Sequence, residues 1–135
     1  MSARPFIILG SLLALAPLML ASAEDLSSYS GRQLYIRFCA ACHGEQARGD
    51  GPVAPHFKVA PPDLTQLAKR RGGTYPADEI RRIIDGRGEE GAHGARQMPV
   101  WGIELDVAVT GAGKPKQAGE LIDRLVEYLR TVQAK

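Results

Sequence analysis

The chain has 135 residues, of which 44% are hydrophobic and 24% charged, with 17 Lys+Arg against 15 Asp+Glu. These proportions describe one small globular domain and exclude a disordered or membrane-filling chain. The charges are spread along the sequence, with no basic block of the kind that tracks a phosphate backbone, so nucleic acid is not an expected partner.

At the N-terminus Arg4 is followed by an apolar run from Phe6 to Leu20, then by Ala21-Ser22-Ala23 ahead of Glu24. A basic start, a short apolar stretch and a small-x-small cleavage pattern read as a secretory leader over residues 1–23. The alternative is an uncleaved anchor helix, but the run is short of the roughly 20 apolar residues a span needs, and Pro17 interrupts it. Cleavage takes away one basic residue and leaves a nearly neutral domain over residues 24–135, expected in the periplasm with no membrane span.

The first element after the leader is "SYSGRQLYIRFCAACHG". Ser30 as a cap, apolar residues at 34, 35 and 38 and a terminating Gly44 predict a helix. It carries both cysteines of the chain, Cys39 and Cys42, and one of its three histidines, His43. The spacing admits a disulfide, a zinc site, a thiol-disulfide redox centre or thioether attachment of haem. An oxidising compartment and the lack of a βαβ pattern disfavour the redox centre. Zinc needs four ligands, and beyond these three residues only His56 and His93 remain as soft candidates. A plain disulfide leaves His43 unused. Covalent haem c uses all three residues: thiols three apart on a helix are surface neighbours, able to reach two vinyl groups on one porphyrin edge, and His43 follows as the iron ligand.

The next stretch, "GDGPVAPHFKVAPPDLTQ", places four prolines and two glycines among few periodic residues and reads as a covering loop. The glycines at 44–51 do not match a phosphate-binding fingerprint. Asp63 with Gln66 predicts a short helix toward Arg70, stopped at Gly72-Gly73. A second helix is predicted from Ala77 to Asp85, with Pro76 suited to its first turn, Ile80, Ile83 and Ile84 as its apolar stripe, and Gly86 at its end. Only "IELDVAVT", 103–110, is ambiguous between helix and strand, so the predicted fold class is all-α.

Residues 86–95, "GRGEEGAHGA", lengthen the connection to "RQMPVWG". Of three methionines, Met1 and Met19 lie in the leader, which leaves Met98 as the one thioether of the mature chain. Once haem is granted, Met98 is the expected second axial ligand, because a thioether opposite an imidazole is an electron-transfer ligation. An isolated methionine otherwise serves as core filler. His93, five residues earlier, and His56 are the rival ligands; both read otherwise as exposed loop residues.

The last element has Leu121, Ile122, Leu125, Leu129 and Val132 at helical spacing, with charges on the other faces. Gly119 is the expected start, after an exposed "TGAGKPKQAG" loop.

With the haem motif near the mature N-terminus and the methionine in the C-terminal half, the whole mature chain resembles a class I c-type cytochrome of bacterial type. Gly31 and Tyr35 match that family's small and aromatic pair on the first helix, and Leu125 and Tyr128 the pair on the last. The resemblance implies that these helices cross tightly beside the haem. A glycine permits close backbone approach, and aromatic rings fill the rest of such a crossing. It further implies that Pro62 and Leu64 in "PPDL" match the family's Pro-x-Leu, whose proline carbonyl accepts a hydrogen bond from the proximal histidine and raises its basicity. Pro52, Pro55 and Pro61 are alternatives for that role. Trp101 resembles a haem-packing tryptophan of bacterial relatives.

These readings imply several short helices around one haem, and a periplasmic one-electron carrier rather than an enzyme, docking transiently with a redox donor and acceptor. A haem subunit of an exported dehydrogenase or oxidase is the alternative, and a ligand-binding haem enzyme the other if Met98 is not axial.

Overall fold

Ser30 starts the first helix as the sequence predicts: its hydroxyl accepts the Gln33 N–H while the Gln33 side chain accepts the Ser30 N–H, a reciprocal capping box. In the computed structural model, which describes residues 25–88, 98–110 and 115–135, the helices are α1 (Gly31–Phe38), α2 (Ala40–His43), α3 (Ala77–Asp85), α4 (Trp101–Thr110) and α5 (Pro115–Thr131). Short 3-10 turns fill parts of the connections, and no strand occurs among the described residues, so the fold is all-α.

The expected single helix through the cysteines is divided. Cys39 departs from helical geometry at φ −115°, and α2 follows for one turn until Gly44 closes it with an N–H to the Ala40 carbonyl. The segment after Asp63 forms two 3-10 turns, Leu64–Gln66 and Lys69–Arg71, in place of one helix. Asp63 does cap the first of them, but through Thr65 rather than Gln66. The α3 bounds match the expectation, with Pro76 at the cap position and Gly86 ending the helix in a left-handed conformation. The ambiguous 103–110 stretch is helical. Gly119 is not a helix start: α5 begins four residues earlier, and burial of Ala118, Leu121 and Ile122 outweighs the glycine's weak helix propensity. Residues 1–24, which contain the expected leader, residues 89–97 and residues 111–114 lie outside the described residues.

The long helix α5 is the centre of the packing, lying against α1, α3 and α4. Its Leu121, Ile122, Leu125 and Leu129 join Leu34 and Tyr35 of α1, Ile80 and Ile84 of α3 and Leu105 of α4 in one buried cluster. Each such side chain contributes about 1.5–3 kcal/mol by leaving water. Leu26, 1% exposed, ties the first described residues to the same cluster. Where α1 crosses α5, Tyr35 and Tyr128 pack with ring centroids 5.2 Å apart. No helix among the described residues is long and apolar enough to cross a membrane.

Candidate haem site

The break at Cys39 and the short turn of α2 put Cys39, Cys42 and His43 on the floor of a cavity of about 660 Å³. The Tyr35 hydroxyl holds the end of that turn by donating to the Gly44 carbonyl at 2.7 Å. One wall comes from the proline-rich loop, with Phe57, Val59, Pro61, Pro62 and Leu64. A second comes from Ile80, Ile83 and Ile84 of α3, and the rest from Met98, Pro99 and Trp101 with Leu125 and Leu129 of α5. Trp101 packs on Phe38 with centroids 5.6 Å apart. Ile83, expected in the core stripe, is 37% exposed because it faces this cavity rather than α5.

His43 is positioned by the loop. Its Nδ1 lies 3.3 Å from the Pro62 carbonyl oxygen. A carbonyl only accepts, so Nδ1 carries the proton and the lone pair is left on Nε2, the atom that can bind a metal. Burial pushes the His43 pKa below its ordinary value, against the opposing pull of the Pro62 bond, and keeps the ring neutral near pH 7. Pro62 is itself held by its neighbours: the Leu64 N–H donates to the Ala47 carbonyl at 2.7 Å, and Arg70 donates to the Asp63 carbonyl at 2.8 Å. Of the prolines considered for this role, Pro62 is the one bonded to the histidine.

No disulfide joins Cys39 and Cys42. Burial, followed by the influence of Cys42, pushes the Cys39 thiol up to about 12. That is opposite to the depressed pKa of a catalytic redox thiol. Among the described residues no three His, Cys, Asp or Glu side chains gather as a metal site, which counts against zinc held by this motif alone. Two thiols, an imidazole with its metal-binding nitrogen available, a thioether and otherwise apolar walls in one cavity fit a covalently held haem.

The structure therefore gathers Cys39, Cys42, His43, Pro62, Leu64, Met98 and Trp101 at one place. His56 is exposed, does not line the cavity, and sits on a 3-10 turn; His93 lies outside the described residues. Sequence reasoning missed Phe57, Val59, Ile83 and Leu129 as lining groups. Its place in the apolar stripe of α3 marked Ile83 as buried but not which group it would face.

The family model described as Cytochrome c matches residues 28–133. A protein described as cbb3-type cytochrome c oxidase subunit CcoP, from Azospirillum brasilense, is 33% identical over 87 residues, which are 64% of this chain and 26% of that protein. The matched span is thus about a quarter of the relative's length. No solved structure matches the chain. A family match running from the first 3-10 turn past the end of α5, over a helical fold with its cysteines and histidine in one apolar cavity, means that the chain belongs to the cytochrome c family, as a class I c-type cytochrome with covalently attached haem c and a role in electron transfer.

Proposed function

We propose that this protein is an exported one-electron carrier whose iron is held axially by His43 and Met98. The observation that carries the reading is that Met98, the one thioether of the chain beyond the leader, lines the same cavity as Cys39, Cys42 and His43. Bound haem supplies a one-electron iron couple. Cys39 and Cys42 anchor it through their sulfurs. His43 keeps its Nδ1 proton on the Pro62 carbonyl and presents Nε2, while that bond fixes the ring and raises its basicity. Met98 offers a soft, uncharged donor that raises the reduction potential. Leu64, Trp101 and the α3 isoleucines keep water from the site. With His43 and Met98 both holding the iron, no place would remain for a substrate, so the reading is a carrier docking transiently with donor and acceptor proteins. Export rests on the leader pattern in residues 1–23.

The Azospirillum relative, named as an oxidase subunit, supports a second reading, in which this chain is the electron-transfer subunit of an exported oxidase or dehydrogenase complex. Fractionation of the source cells separates the two. A free carrier leaves with the periplasmic fraction as a haem-staining band on denaturing gels, whereas a subunit co-purifies with its complex. A pyridine haemochrome spectrum together with acid-acetone extraction tests the attachment. Cofactor stripped from the wild type by that extraction would overturn the thioether assignment.

A further inference from the structure

Arg87, two residues beyond the end of α3, joins two carboxylates from different helices. Its Nε and Nη2 donate to Oδ1 and Oδ2 of Asp85 at 2.7 and 2.8 Å, and its Nη1 donates to Asp106 Oδ2 on α4 at 2.9 Å. The planar fork makes this geometry available, since two parallel bonds engage one carboxylate and a further N–H reaches another. The side chains of Arg87, Asp85 and Asp106 are 33%, 17% and 13% exposed. Another ion pair of α3, Arg81 with Asp123 on α5, is 41% and 60% exposed and correspondingly better screened. Gly102, in the first turn of α4, lies directly against the knot. A Cβ there would stand 2.5 Å from both Arg87 Nε and Asp85 Oδ1.

This knot joins α3 and α4, the helices that precede and follow Met98 in the chain. Met98 is followed within three residues by Trp101, the first residue of α4, and both line the cavity. The start of α4 is therefore the near anchor for Met98, and Arg87, bonded to Asp106 in the second turn and lying against Gly102 in the first, fixes the N-terminal half of α4 against the end of α3, whose isoleucines line the same cavity.

We infer that Arg87 is a positioning residue for the Met98 thioether: by tying Asp85 to Asp106 it holds the N-terminal half of α4 on α3 and keeps residues 98–101 at the cavity wall. The inference rests on the axial role proposed for Met98. Without the knot, Leu105 still buries α4 in the core, so the fold persists. The thioether then leaves the iron more often.

The test uses holoprotein of the wild type and of Arg87→Ala, Asp106→Ala, Arg81→Ala and Met98→Ala. The readouts are the ferric charge-transfer band at the red end of the visible spectrum, the rate of carbon monoxide binding by the ferrous form, and the thermal midpoint. Arg87→Ala is expected to weaken the band and to speed carbon monoxide binding about ten-fold, through a larger open population. Asp106→Ala, which leaves the Asp85 fork whole and cuts the Arg87 link to α4, is expected to do the same, and it decides the matter if Arg87→Ala does not accumulate. Arg81→Ala, which breaks an α3–α5 pair, lowers the thermal midpoint at most and leaves band and rate unchanged. If Asp106→Ala keeps the wild-type band and rate while Met98→Ala loses the band, the positioning role is overturned and the ligation stands. A wild type that lacks the band and binds carbon monoxide rapidly overturns the ligation, and the positioning role with it.

Discussion

Gly31 of α1 meets Tyr128 of α5 so closely that a Cβ added to the glycine would stand 2.9 Å from the tyrosine Cβ and 3.0 Å from the Arg124 carbonyl carbon. Both neighbours belong to the body of α5, and backbone cannot swing aside. Gly31→Ala is expected to cost about 1–3 kcal/mol by overpacking, with Gly31→Val costing more. Chemical denaturation of the holoprotein measures it, and equal midpoints for Gly31→Ala and the wild type would contradict the crossing geometry.

The loop that presents Pro62 to His43 is tied to the far end of the chain. The Gln133 side chain donates to the Leu64 and Leu129 carbonyls at 2.8 and 2.7 Å and accepts the Ala68 N–H at 2.9 Å, while the Ala134 N–H donates to the Thr65 carbonyl at 2.8 Å. Gln133→Ala leaves three partly buried backbone groups without these partners and is expected to cost about 1–3 kcal/mol. Hydrogen exchange of the Ala68 amide should quicken more than that of amides in α5. Unchanged exchange at Ala68 would refute the tie.

Features that depend on neighbouring residues were legible in the sequence, and those that depend on tertiary packing were not. The Ser30 cap, the Pro76 and Gly86 bounds of α3 and the Cys39-Cys42-His43 motif each carry their chemistry within a few positions. Helix α4 was ambiguous because apolar residues stand all round it, with Ile103 and Val107 52% and 60% exposed although Leu105 is fully buried. Gly119 misled because local propensity suggested a helix start there, while burial on both sides of it continues the helix. Pro62 was reached only through resemblance, since its bond to His43 spans 19 positions. Gln133 and the Arg87–Asp106 link gave no local signal.

Acid should loosen the junction of α3 and α4. Hydrogen bonds from the Arg87 side chain hold the Asp85 pKa below its ordinary 3.8, against the opposing effect of burial. The folded state therefore binds this proton less readily than the unfolded chain. The resulting stability is fully present above about pH 4 and is lost as pH falls through the folded-state value. Asp85→Asn should lower stability at neutral pH and flatten its dependence below pH 4, as read from denaturant midpoints. A mutant and wild type that differ by the same amount at pH 6 and at pH 3 would exclude this linkage.

The choice between carrier and ligand-binding enzyme turns on Met98. A soft thioether favours ferrous iron relative to a second imidazole, so His43/Met98 ligation should give a high potential and a closed iron. The wild type should show the ferric charge-transfer band toward the red and bind carbon monoxide poorly. Met98→Ala should lose the band, bind carbon monoxide readily and fall in potential, because the cavity offers no other described side chain of comparable donor strength beyond the motif itself. His93→Ala should leave the spectrum nearly unchanged if that histidine is only a loop residue. Loss of the low-spin spectrum in His93→Ala but not in Met98→Ala would move the axial role to His93. Rapid carbon monoxide binding by the untouched ferrous wild type would sink the carrier mechanism and favour a haem that binds and transforms a small ligand.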